Sequence, residues 1–174
     1  MIAKRIPNAS NESVNLVVSL LVRHPEISRV VIKPGLSGIA LFFVVRTLLG
    51  GDERARLRRA VGAHVRALRE LSGLESRPVD VRLSAGGDLT FIEIELDGKT
   101  LARDEIAMIV GLVAQTFGER LVVNPPAEDG GEEDAAMQDE SVGAALDAVR
   151  RGRHRKGLVG FRDDRRVLIY FGKR

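Results

Sequence analysis

At 174 residues the chain suits one domain of ordinary size, or a domain of about 120 residues with an appendage. It has no cysteine, which excludes a disulfide framework, a thiolate metal site and a cysteine nucleophile, and predicts a cytoplasmic protein. The net charge of +3 hides an uneven distribution: residues 1–127 carry 17 Lys/Arg against 14 Asp/Glu, residues 128–140 seven acids and no base, and residues 141–174 ten bases against three acids.

The N-terminal Met1-Ile-Ala-Lys-Arg-Ile-Pro-Asn8 is charged but is followed by a polar run, so it does not read as a signal peptide. After Ser10, Val14, Val17, Val18 and Leu21 recur at helical spacing until His24-Pro25, where proline ends a helix. Val30 to Lys33 and Ile39 to Thr47 are rich in β-branched and aromatic residues and flank Pro34-Gly35-Leu36-Ser37-Gly38, which predicts a hairpin. Its second strand contains the longest apolar run, Ile39 to Val45, which is too short to span a bilayer and is apolar on both faces.

Asp52 can cap a helix with Leu57, Val61, His64, Leu68 and Leu71 on one stripe, and Gly73 is placed to end it. Val79 to Leu83 and Leu89 to Leu96 predict a second hairpin; Thr90, Ile92, Ile94 and Leu96 alternate with Phe91, Glu93, Glu95 and Asp97, so one face is wet. Thr100 can cap a third, buried helix through Phe117, and Arg120 to Asn124 form a short strand. A shift of 49 residues lays Val30 on Val79, Phe42 on Phe91, Val45 on Ile94 and Val61 on Val110. Both units then read strand, strand, helix, the pattern of two similar supersecondary units or of a fused duplication.

From Glu128 the composition turns acidic and glycine-containing, too poor in large apolar groups to offset the entropy of ordering, which predicts a flexible linker. Ser141 can then cap a short helix that ends at Arg150-Arg151-Gly152. A last hairpin joins Leu158–Arg162 to Arg166–Phe171; a three-residue loop would set Phe161 opposite Val167 and Val159 opposite Ile169. The expected organisation is an α+β core (1–127), an acidic flexible linker (128–140), and a basic helix with hairpin (141–174). The core is two β-hairpins in a largely antiparallel sheet with helices on one face, with a ferredoxin-like βαββαβ variant from Ile39 to Asn124.

No catalytic or metal-ligand motif accompanies these elements. Glu93, Glu95 and Asp97 share a strand face and could in principle hold a cation, but cross-strand pairing with Arg82 accounts for them as a salt-bridged sheet face. His24, His64 and His154 lack partners at zinc spacing. The arginines of the second helix read as a solvated face. Neither a cofactor nor a catalytic group is assigned, and the chain is expected not to be an enzyme.

Two surfaces remain. Ala40, Phe42 and Val44 would lie on the open side of a helix-backed sheet, an apolar strip that calls for a cover: a second copy of the chain or the C-terminal hairpin. The bases Arg150, Arg151, Arg153, Arg155, Lys156, Arg162 and Arg166 form a candidate polyanion-binding cluster, although stacking aromatics are scarce around them and the acidic stretch competes for them. The expected function is therefore a non-enzymatic protein-interaction module of adaptor, chaperone-like or regulatory kind, self-associating as a homodimer and without membrane attachment. The alternative is a nucleic-acid-associated protein using the basic C-terminal segment.

Overall fold

The computed structural model describes residues 11–125, 132–152, 156–163 and 166–171. The described elements are α1 (Asn11–Arg23), β1 (Arg29–Ile32), β2 (Ile39–Val45), α2 (Gly51–Leu71), β3 (Asp80–Gly86), β4 (Leu89–Leu96), α3 (Arg103–Phe117), α4 (Glu132–Arg151), β5 (Leu158–Asp163) and β6 (Arg166–Phe171). All six strands join one antiparallel sheet in the order β3-β4-β2-β1-β5-β6.

Strand alternation divides the sheet into two faces. Val30, Ile32, Leu41, Phe43, Val45, Ile92 and Ile94 are buried in one core with the apolar sides of the helices. Helix α1 lies on β1 and β5, α2 on β3 and α3, and α4 on α1 and α3. Helix α1 lies close upon β5 at Gly160, where a Cβ would come within 2.1 Å of Val17 Cγ1. Among the described residues, no helix is long and apolar enough to cross a membrane.

The echo at 49 residues has a spatial counterpart. Strands β2 and β4 are antiparallel neighbours, and Phe43 pairs with Ile92, its own equivalent 49 residues on. The two strand-strand-helix units are thus disposed about a local two-fold at that pair. The order β3-β4-β2 is also that of the first three strands of the ferredoxin-like variant. Its fourth place, however, is taken by β1, and the segment from Arg120 reaches the sheet only at a single bridge, Leu121 to Val45. The hairpin partner wins this place because its connection to β2 is short.

Other expectations need correction. The acidic stretch is not irregular throughout: residues 132–140 belong to α4, while 128–131 lie outside the described residues. Alanine, methionine and glutamine among the acids favour a helix, and Asp139 is tied to Arg23 at 2.6 Å. The last hairpin is no separate appendage, because residues 158–161 of β5 pair with the whole of β1. Its own register differs by one residue, with Phe161 opposite Leu168 and Val159 opposite Tyr170.

The buried stripe of α2 is Leu57, Val61, Val65 and Arg69, leaving His64 and Leu71 exposed. Arg69 can be interior because it donates to both carboxylate oxygens of Glu105 at 3.1 Å, and to Thr100 Oγ1 at 3.1 Å. Thr100 therefore serves this network and its own turn, where its hydroxyl donates to Asp97 Oδ2, and α3 starts three residues later. Burial pushes the Glu105 carboxyl up against the opposing pull of Arg69.

Candidate interaction face

The open face of the sheet is assembled from the alternate residues of every strand. One row across it runs Arg82, Glu93, Phe42, Arg29, Phe161, Leu168; the next runs Asp80, Glu95, Ala40, Val31, Val159, Tyr170. Ser84, Phe91 and Val44 begin a third. The C-terminal hairpin thus does not cover the strip on β2; it lies edge-on beside β1 and widens the strip with four more large apolar side chains.

This face has two halves of different chemistry. On β3 and β4, Arg82 bridges Asp80, Glu93 (3.2 Å) and Glu95 (3.3 Å). Lys33 reaches Glu95 from the other side of β2 at 2.5 Å. That bridge passes over Gly38, where a Cβ would come within 2.7 Å of Glu95 Oε1. Asp80, first in line, raises the Arg82 guanidinium above its usual range. Arg82 stands directly opposite Glu93, so the carboxylates are engaged by cations on their own face. A shallow depression of ≈ 560 Å³ borders this half, lined by Arg77, Asp80, Arg82, Glu95 and Asp97 among others.

The other half is apolar. Phe42, Val44, Val31, Val159, Phe161 and Leu168 are each half-buried, and Phe91 and Tyr170 are exposed. Phe161 and Tyr170 stack with ring centroids 5.6 Å apart and planes 3° from parallel. The Arg29 guanidinium lies 3.7 Å from the centroid of Phe42, a cation–π contact on an exposed surface. Among the described residues Arg29 forms no ion pair.

Of the three interface residues expected from sequence, Phe42 and Val44 are accessible, but Ala40 is 0 % exposed. Its methyl group lies beneath the longer side chains of the same face, so Ala40 spaces its neighbours and does not itself meet a partner. Sequence reasoning missed Val31, Phe161, Leu168 and Tyr170. For the last three the signal was present in the alternation of β5 and β6, but the wrong loop length moved it to opposite faces.

Of the basic residues expected to bind a polyanion, Arg150 and Arg162 are engaged by the fold itself. Arg150 donates to the Leu101 carbonyl and pairs with Asp147 at 3.4 Å. Arg162 lies on the helix side, where it caps the carbonyls of Leu21 and Val22 at the end of α1 and donates to Pro125 O at 3.2 Å. Desolvation there lowers its pKa. Arg151 and Lys156 are exposed, and Arg166 is exposed on the edge strand. Arg153 and Arg155 lie outside the described residues. Within the acidic stretch expected to compete for these bases, Asp139 pairs with Arg23, which holds its carboxyl below the usual range.

Three of the six arginines of α2 likewise have structural partners. Arg54 bonds Leu49 O at 2.9 Å, Arg58 bonds Val81 O at 3.1 Å, and Arg69 is the buried member of the pair with Glu105. Among the described residues, no group of three His, Asp or Glu is placed to hold a metal ion.

Geometry thus defines an α+β protein built on a six-stranded antiparallel sheet with one helix-covered and one open face. No protein-family model, curated protein or solved structure matches the chain.

Proposed function

We propose that this chain is a non-enzymatic protein-interaction module, of adaptor, chaperone-like or regulatory kind, whose docking surface is the open face of the sheet. The observation that carries this reading is the continuity of the apolar half across β2, β1, β5 and β6, with no described element over it. Scattered apolar residues are ordinary on a protein surface, but a contiguous patch with two stacked aromatics and an arginine at its centre has the composition of an interface core. The ion-paired half supplies the polar rim that such interfaces carry.

Substituting Phe161→Ser on this face tests the reading. The variant should keep the melting behaviour of the parent and lose the complexes that the parent forms, whether with itself or with another protein. Complexes that survive both this change and Leu168→Ser would overturn the assignment of the face.

A further inference from the structure

Resting on that reading, we infer that the occupant of the open face is a second copy of this chain, packed sheet against sheet about a two-fold axis that crosses the strands between the Phe42 row and the Ala40 row. The size of the face, its division into halves and the order of charges along β3 support this.

Six strands about 4.8 Å apart and about five or six residues at 3.3 Å give a flat area of roughly 480–570 Å². A face of that extent is of the same order as the about 800 Å² per partner of a standard interface. A peptide strand or a single helix would cover only part of that width. A second sheet, aligned within about 30° as packed sheets are, would cover all of it.

An axis running across the strands returns each strand onto itself in the other copy, so the apolar half meets an apolar half and the polar half a polar half; Glu93 of one copy then lies over Glu95 of the other, each carboxylate being already paired with Arg82 of its own chain. The alternative axis, along the strands, would set the carboxylates of β4 against Phe161 and Val159, which costs desolvation with no partner gained. With the axis between the two rows, Arg82 of one copy faces Asp80 of the other, and Asp80 faces Arg82. Both residues lie on the edge strand β3 and their side chains are 55 % and 54 % exposed, so each can reach across at the rim. Such reciprocal pairing is what an isologous contact requires.

Charge reversal with mixing tests this without needing any other partner. The intact chain should show concentration-dependent self-association by sedimentation velocity. Asp80→Lys and Arg82→Glu, made separately, should each weaken it by about tenfold or more, because each places like charges opposite one another twice per dimer. An equimolar mixture of D80K with R82E should recover association to within about threefold of the parent, since opposite charges then face each other at both ends. A variant that merely failed to fold would not be rescued by mixing.

The inference is overturned if the parent is monomeric at every concentration reached, if either single variant associates as the parent does, or if the mixture stays as weak as its components. Should the parent be monomeric while Phe161→Ser still abolishes a complex with another protein, the docking face stands and only the second copy falls.

Discussion

Phe42 and Phe43 are consecutive identical residues on one strand, and they belong to different environments. Phe43 is 0 % exposed beneath the helices, whereas Phe42 is half-buried on the open face with Arg29 over its ring. On the covered face, packing is shared among strands and helices, and removing a side chain leaves a cavity that rigid neighbours cannot close. On the open face the same side chain touches only its row and its strand, so its worth to the isolated fold is small. What remains for it is contact with a partner.

The largest effect expected follows directly. Phe43→Ala should destabilise the chain by about 3–5 kcal/mol, while Phe42→Ala should cost about 1 kcal/mol. Urea unfolding of the two variants beside the parent measures the difference. Equal losses would mean that the faces are not energetically distinct.

A pH titration sharpens the contrast from the covered side. His24, at the end of α1, is 6 % exposed, and burial, followed by repulsion from Arg23, lowers its pKa to about 4 against the pull of Asp139. The folded state therefore holds His24 neutral where the unfolded chain, with a value near 6.5, takes up a proton. Its contribution is fully present above about pH 6.5 and is lost as pH falls to about 4, amounting to about 3 kcal/mol. Denaturation midpoints between those limits should fall with pH for the parent. His24→Gln should flatten that part of the curve, and an unchanged slope would show that His24 is not the group responsible.

The smallest effect belongs to the open face. Gly38→Ala would press on the Glu95 carboxylate and displace the Lys33 bridge, a partly exposed pair. Glu95 retains Arg82, so the loss should stay within about 1 kcal/mol. Thermal unfolding of G38A checks this, and a drop comparable to that of Phe43→Ala would show that the polar half is essential to the sheet.

Much of the local architecture was legible in the sequence. The three hairpins, four helices and the α+β class follow from apolar periodicity and from Pro, Gly and Ser at the ends of elements. Even the 49-residue echo corresponds to a spatial relation, the pairing of Phe43 with Ile92. The wet face of β4 was equally readable, since Glu93 and Glu95 alternate with Ile92 and Ile94 and an arginine was available on the neighbouring strand.

Residues that depend on distant partners were not legible. Arg69 looked like part of a solvated helix face because the sequence does not show that Glu105 lies within reach to neutralise it. Glu132 to Glu140 resembled a linker because composition alone does not reveal that Arg23 waits at the end of α1 for Asp139. The basic C-terminal run looked like one patch, yet strand alternation sent Arg162 to the helix side and left Arg166 on the open one.

The sequence by itself determined where most strands and helices lie and that one strand is apolar on both sides, because periodicity and propensity are local properties. Only the tertiary structure decided what lies over and beside that strand. Pairing of β5 with β1, rather than stacking of the hairpin upon β2, leaves the strip open and extends it, and that choice rests on backbone hydrogen bonds between segments more than a hundred residues apart. A one-residue change in the register of β5 and β6 would carry Phe161 and Tyr170 to opposite faces, so the make-up of the docking surface is a property of the assembled sheet.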